Sequence, residues 1–413
     1  MPEIITTTLD NGATLVVEKN LTVRSLAARF LVPVGDAHDP DALEGRATMW
    51  SELLLRGAGE LDSRTQADAF DLLGATRSAE NTRFYTRVSS TMLSDRFESV
   101  APLLADTILR PRFDESSIGP ARELCLQGLA SLADDPQERA VLAARARHYP
   151  SPLNRSGMGT EAGLVALTRD GLASDWRALA QPEGAIIALA GNIDAGLAAD
   201  VLNRLLTGWS GERAAYETGA DAPRGYGHEE DDSSQVQIVV VHDAPREPDD
   251  EVILERILVG VLSGGMSSRL FTEVREKRGL CYAVNASYAP SKETGTVTAY
   301  VGTTPERAQE SLDVLVAELE RINGAAPITE EEFRRAVNGI KSRIVFSGES
   351  TAARAGALAA DIHNRGRARS LDEIAARVDA VTLDQLNAYA AGRSLGTLTI
   401  QTLGPSALTP PSS

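Results

Sequence analysis

Thiols, histidines and aromatics are scarce in this chain of 413 residues. Only Cys125 and Cys281 carry a thiol; they lie far apart and lack CxxC spacing, which excludes a disulfide scaffold and fits a reducing compartment. Each reads as a small buried apolar residue. Positive charge is short as well, because 41 Lys+Arg stand against 58 Asp+Glu for a formal net charge of −17. Phosphate backbones and anionic lipid would repel such a surface, so nucleic acid and membrane are poor partners. No run of about 18 apolar residues appears, as a spanning helix needs. The opening MPEIITTTLDNG has neither the basic patch nor the apolar stretch of a signal peptide. The chain therefore reads as unexported and cytoplasmic.

What is present is the composition of an ordinary folded protein, 43% hydrophobic and 24% charged. Single cores stop growing at roughly 250–300 residues, so two or more domains are expected. Residues 1–208 alternate strand-like stretches (TLVVE, SLAARFLVPV) with helix-like ones (ALEGRATMWSELLLRG). From 209 to 234 the chain is acidic and rich in breakers, which predicts an interdomain linker. The pattern restarts over 235–413 with QVQIVVVHDA as a strand, DEVILERILVGVLSGG and SRLFTEVREKRG as helices, and LCYAVNASYAP and GTVTAYVGTT as strands at hairpin spacing.

The two halves echo each other. FYTRVSST leads into SDRFESVAPLLADTIL, a proline and DESSIGPARELCLQGL; VTAYVGTT leads into PERAQESLDVLVAELERI, Pro327 and TEEEFRRAVNGIKSRI. Strand, amphipathic helix, proline and second helix recur in one order, which predicts two copies of a single α+β unit, each a sheet with helices packed on it.

Catalytic constellations are missing. Of the five histidines, His38, His148, His228, His242 and His363, no two stand at i, i+4, the spacing that turns two rings to one metal from a helix. His38 lies among Asp36, Asp39 and Asp41, and His228 beside Glu229, Glu230, Asp231 and Asp232. The first reads as a loop with a helix cap, the second as a solvated charge run. No GxSxG elbow, P-loop or GxGxxG follows a predicted strand, and Gly264 with Gly265 makes only a short turn at a helix end.

One long stretch is more specific. SGGMSSRLFTEVREKRGLCYAV, residues 263–284, resembles the GGGMSSRLFxxVREKxGLxYxV segment of the M16 (pitrilysin or insulinase-like) metallopeptidases of the M16B group. LDNGATLVVE, DDP at 134–136 and ALAGNID at 188–194 are similar to further signatures of that family in the same order. The resemblance covers almost the whole chain and implies two repeated M16-type domains forming half of a clamshell.

Active members of that family carry HxxEH on a helix of the first half, with two histidines on zinc, a glutamate activating water and a later glutamate completing the sphere. In GRATMWSELLLRGAG, residues 45–59, the resemblance sets Thr48 and Glu52 at the histidine positions and Ser51 at the base. Ala121 and Gly128 fall at the two later family glutamates. A hydroxyl, a carboxylate, an alanine and a glycine do not build a tetrahedral zinc site, and Ser51 is no general base. No metal is expected in this chain.

The second half keeps what the first has lost. In the family an Arg and a Tyr seven residues apart approach the zinc site, and Arg275 and Tyr282 match that spacing. A guanidinium holds a carbonyl or carboxylate bidentately, and a phenol donates to the oxygen that turns negative in a tetrahedral intermediate. The plainer alternative is that Arg275 makes an i, i+4 ion pair and Tyr282 packs on a sheet. The resemblance thus implies a zinc-free subunit that forms a heterodimer with an HxxEH-bearing M16B partner holding the zinc, and that binds peptide through Gly264, Gly265, Arg275 and Tyr282. The family's glycine-rich loop is here reduced to Ser263, Gly264 and Gly265. A non-proteolytic scaffold of the same fold is the rival reading, and a relocated site around His38 or His228 a third. The acidic balance favours basic peptides if the charge faces the substrate.

Overall fold

A computed structural model describes residues 3–219 and 221–411. It divides into two compact units, each built on one mixed sheet. The first comprises residues 1–131, 155–218 and 347–370, and the second residues 132–154, 219–346 and 371–413.

The first unit's sheet contains β1 (Glu3–Thr8), β2 (Thr14–Lys19), β3 (Ser25–Val32), β6 (Ser78–Asn81), β7 (Thr86–Leu93) and β8 (Ile186–Gly191). Strands β4 (Gly57–Ala58) and β5 (Leu61–Asp62) form a separate short hairpin. The order is β1-β2-β8-β3-β7-β6, antiparallel throughout except for β2 beside β8. Leu26, Ala28 and Phe30 of β3 enter the main core. That core also takes residues of α1 (Arg46–Leu53), α2 (Ser63–Leu72), α3 (Phe97–Leu109), α4 (Glu115–Ser131), α6 (Glu161–Ala166), α7 (Arg169–Leu179) and α8 (Ala195–Leu205). Local signals set these helices: the Thr168 hydroxyl accepts from the Gly171 N–H at the start of α7, and the Asp194 carboxylate from Gly196 and Leu197 at the start of α8.

The second unit's sheet contains β9 (Gly225–Glu230), β10 (Val236–Asp243), β11 (Cys281–Pro290), β12 (Gly295–Thr303) and β13 (Thr399–Gly404). Its order is β11-β12-β10-β13-β9, again with one parallel pair, β13 beside β9. Strand for strand this repeats β6-β7-β3-β8-β2 of the first unit, in the same sequence order and the same directions. The expected repeat of one α+β unit is therefore present. Its helices are α5 (Pro136–His148), α9 (Val252–Ser263), α10 (Ala308–Arg321), α11 (Glu330–Gly348), α13 (Leu371–Asp379) and α14 (Leu383–Gly392).

Each sheet takes one covering helix from the other half of the sequence. In the first unit α12 (Thr351–Arg365) lays Ala355, Leu358, Ala359 and Ile362 on Ala27, Leu31 and Ala188. In the second, α5 packs Ala140 and Ala144 against Val239, Val241 and Leu403. Buried ion pairing fixes α12, since Arg354 grips the Glu18 carboxylate of β2. Against the division expected at 208 and 235, residues 132–154 group with the second compact unit and residues 347–370 with the first. Amphipathic periodicity reveals that a helix covers a sheet, without saying which one.

The stretch 209–234, expected to be a linker, also contributes structure. Gly225–Glu230 is the edge strand β9, paired with β13, and its acidic end is held by Arg139 of α5, which bonds Asp231 at 2.6 Å and also reaches Glu229. Charge that read as solvated is matched by a cation distant in sequence. Among the described residues no helix is long and apolar enough to cross a membrane.

Candidate functional site

Helix α1 carries the motif positions and packs on α4. The Thr48 hydroxyl donates to the Gly157 carbonyl at 2.7 Å, and Ser51 donates back to the Thr48 carbonyl at 2.8 Å. Glu52 pairs with Arg56 at 3.8 Å. On α4, Ala121 is buried and Gly128 half-buried. The thiol of Cys125, a buried α4 residue, is pushed up to about 11, chiefly by burial and further by the charge of Glu52. A thiol with that value stays protonated near neutrality and is a poor metal ligand. Thr48 and Ser51 are engaged with backbone, and Ala121 and Gly128 offer no side-chain donor. Among the described residues, no group of three or more His, Cys, Asp or Glu is placed to hold a metal ion. The donor set does not fit zinc.

The histidine clusters have other uses. Asp39 accepts from the Gly45 N–H at 3.0 Å and the Ala47 N–H at 3.2 Å, capping α1 from outside the helix. Asp41 pairs with Arg155 at 2.7 Å, and the His38 ring accepts from the Gly35 N–H at 3.1 Å. His228 sits within β9, its Nδ1 2.9 Å from the Thr402 hydroxyl.

Arg275 and Tyr282 come together in the second unit. The chain from Arg269 to Glu276 is helical, and Phe271–Glu276 is wound as a π-helix, with the Lys277 N–H reaching back five residues to the Thr272 carbonyl at 2.9 Å. The guanidinium carbon of Arg275 lies 4.9 Å from the Phe271 ring centre and 5.1 Å from that of Tyr282. Cys281 pairs opposite Thr303 and Ala283 opposite Gly302, which leaves Tyr282 as the extra residue of a bulge on the edge strand β11. Tyr282 is 84% exposed. Glu273, two residues before Arg275 on this helix, is committed to Lys277 at 2.6 Å and Arg278 at 2.8 Å, and those cations hold its carboxyl below the usual range; Glu276, the next residue, forms no ion pair with Arg275 among the described residues. Arg275 makes no ion pair among the described residues. Neither plain alternative describes the pair: the arginine has no i, i+4 acid and the tyrosine does not pack down. Phe271 escaped the sequence reading, although an aromatic four residues before a helical Arg was signal enough.

Gly264 ends α9 where a Cβ would stand 2.2 Å from the Gly260 carbonyl oxygen, while around Gly265 lies open space. Beside them opens a pocket of about 220 Å³ lined by Met266, Glu332, Arg335 and Arg343 among others. Burial alone would raise Glu332, but Arg269 and the Thr329 N–H outweigh it and hold the carboxyl at about 2. Arg269 bonds both Glu332 oxygens at 2.7 and 2.9 Å, so of the three arginines in residues 263–284 Arg269 and Arg278 are held by carboxylates and Arg275 is not.

The doubled mixed-sheet architecture is shared with solved structures. A crystal structure titled as a peptidase M16 inactive domain from Pseudomonas fluorescens matches with a TM-score of 0.89 at 23% identity, over 99% of this chain and 100% of that one. A protease from Helicobacter pylori matches at 0.84 and 18%, over 98% and 100%, and a chain of Complex III2 from Candida albicans at 0.81 and 15%, over 98% and 96%. These place the chain in a fold class that includes peptidases. The family model described as "Insulinase (Peptidase family M16)" matches residues 14–161, and that described as "Peptidase M16 inactive domain" residues 166–340; the chain belongs to the M16 peptidase family. Relatives include the uncharacterized zinc protease YmxG of Bacillus subtilis, 27% identical over 93% of this chain and 94% of its own. Another, from Streptomyces coelicolor and also named an uncharacterized zinc protease, is 28% identical over 93% and 86%.

Proposed function

We propose that this chain is the zinc-free subunit of a heterodimeric cytoplasmic M16 peptidase, and that it binds peptide and lends Arg275 and Tyr282 to the zinc site of an HxxEH-bearing partner. The observation that carries the reading is the state of Arg275: a guanidinium without a carboxylate, stacked between Phe271 and a tyrosine that is 84% exposed. Stacking restricts the side chain while leaving its N–H groups for a substrate carbonyl or an oxyanion. The edge strand β11 that bears Tyr282 and the short loop at Gly264 and Gly265 supply backbone for an extended peptide.

The alternative is a scaffold subunit that keeps the fold without taking part in proteolysis. The likeness to a chain of Complex III2 from Candida albicans favours it to the extent that this fold also serves outside proteins titled as proteases. Replacing Arg275 with Ala and Tyr282 with Phe in the assembled pair separates the two readings. Each change should lower peptide hydrolysis roughly 10- to 1,000-fold if these groups stabilise the oxyanion. Unchanged turnover in both variants would establish the scaffold.

A further inference from the structure

Buried guanidiniums of the first unit meet carboxylates: Arg354 meets Glu18, Arg46 meets Asp175 at 2.6 Å, and Arg369 meets Asp361 at 2.5 Å. Arg29 on β3 is different. It has no hydrogen bond and no ion pair among the described residues, although it is half-buried and burial lowers its pKa.

Its neighbours make that omission specific. Arg29 stands opposite Ser89 of β7, and Leu31 opposite Arg87, so Arg29, Arg87 and Ser89 share the sheet face that α12 partly covers. Two guanidiniums side by side repel; burial and then the Arg29 charge lower the pKa of Arg87. Arg87 has Glu80 as its ion-pair partner, and Arg29 has none. The Nε atoms of both arginines and the Ser89 hydroxyl are buried without a hydrogen-bond partner. The Arg87 side chain is 27% exposed and Ser89 is half-buried, so the site borders the surface although these three atoms are themselves covered.

Helix α12 also makes room for the unpaired cation. Its residue 356 is glycine, and a Cβ there would lie 2.5 Å from Nη1 of Arg29. A helix interior disfavours glycine, so the position gives up helix propensity to seat a guanidinium that no described residue neutralises. Buried unpaired donors and adjacent like charges are costly in the free protein. A ligand carboxylate relieves both at once, since it accepts from the planar fork of Arg29, from Arg87 Nε and from the Ser89 hydroxyl.

We infer that Arg29, Arg87 and Ser89 form a carboxylate-binding site on the open part of this sheet face, which takes an acidic side chain or the free C-terminus of a peptide. The inference rests on the peptide-binding role proposed above and gives it a substrate class. It also reverses the expectation of basic peptides drawn from net charge: Arg29 is a cation without a carboxylate among the described residues although the chain carries −17.

The test is calorimetric titration of the full chain with three probes: acetyl-Ala-Ala-Glu-Ala-Ala-amide, its Gln analogue as the amide, and that Gln analogue with a free C-terminal carboxylate. At least one carboxylate peptide should bind roughly 10- to 100-fold more tightly than the neutral amide, the scale of charge-assisted hydrogen bonds. Which of the two does so separates a side chain from a chain end as the source. Arg29→Met should abolish the preference while leaving the melting temperature unchanged or higher, and Arg29→Lys, which keeps the charge without the fork, should retain part of it. Equal affinity for all three probes, or a preference that survives Arg29→Met, overturns the site alone. Binding of none of them overturns the peptide-binding role as well. The titration uses neither partner nor hydrolysis, so its result is independent of the Arg275 and Tyr282 assay.

Discussion

The Arg275 guanidinium carbon stands 5.1 Å from the centre of the Tyr282 ring, and it has no carboxylate partner among the described residues; Glu273 on the same helix is already bonded to Lys277 and Arg278. A contact of this kind depends on the planar, delocalised cation. Arg275→Lys in the assembled pair should therefore lower kcat/KM about 10-fold or more, while chain stability shifts by no more than about 0.5 kcal/mol. Paired kinetics and denaturant titration check this, and full activity with lysine would show that the stacked fork has no role.

The Glu18 and Arg354 side chains are nearly buried, at 7% and 4% exposure, and join β2 to α12. Arg354→Met leaves an uncompensated buried carboxylate and should cost about 3–5 kcal/mol, whereas Glu18→Leu with Arg354→Met should recover most of that loss. Urea midpoints of the three variants measure it. A double variant no better than the single one would place the loss in packing instead.

Burial is the main cause that raises the Asp39 carboxyl to about 6, against the pull of the Gly45 N–H and Arg46. Its folded value lies above its unfolded one, so its contribution to stability is complete below about pH 4 and is lost as pH rises through about 6. The displacement from 3.8 to about 6 corresponds to about 3 kcal/mol. Stability of the parent relative to Asp39→Asn should therefore improve as pH falls from roughly 8 to 4.5, by about 2 kcal/mol. A difference that stays constant with pH contradicts this.

The two thiols should differ in reactivity. Cys125 is held up at about 11 and buried, so iodoacetamide should modify it roughly 100-fold more slowly in the folded chain than in denaturant. Cys281, half-buried and raised by burial but opposed by the Arg275 charge, should react first. Peptide mass mapping over time reads both rates. Fast labelling of Cys125 would reopen the α1–α4 face as a site with an available thiolate.

How far the sequence carried the structure varies by feature. The repeat was legible because strand, helix, proline and helix recur with their periodicities intact, and the missing donors at Thr48, Ser51 and Glu52 could be read directly. The exchange of α5 and α12 was not, since a small-residue face such as Ala140 and Ala144 fits either sheet. Strand β9 was hidden by an acidic, glycine-rich sequence whose partner, Arg139, lies about 90 residues away. The exposure of Tyr282 depends on a bulge, a single-residue register shift that leaves no composition signal. Arg29 lies between Ala28 and Phe30 and looks like any polar residue alternating along a strand. Only the covering helix reveals that its charge is unmatched.

The central claim is that this chain contributes to peptide hydrolysis without a metal of its own. Zinc content and peptide turnover, measured on the lone chain, on an HxxEH-bearing partner and on their mixture, test it most directly. The account predicts a lone chain with neither zinc nor activity, and a mixture far more active than the partner alone. One equivalent of zinc with robust hydrolysis in the lone chain would contradict it.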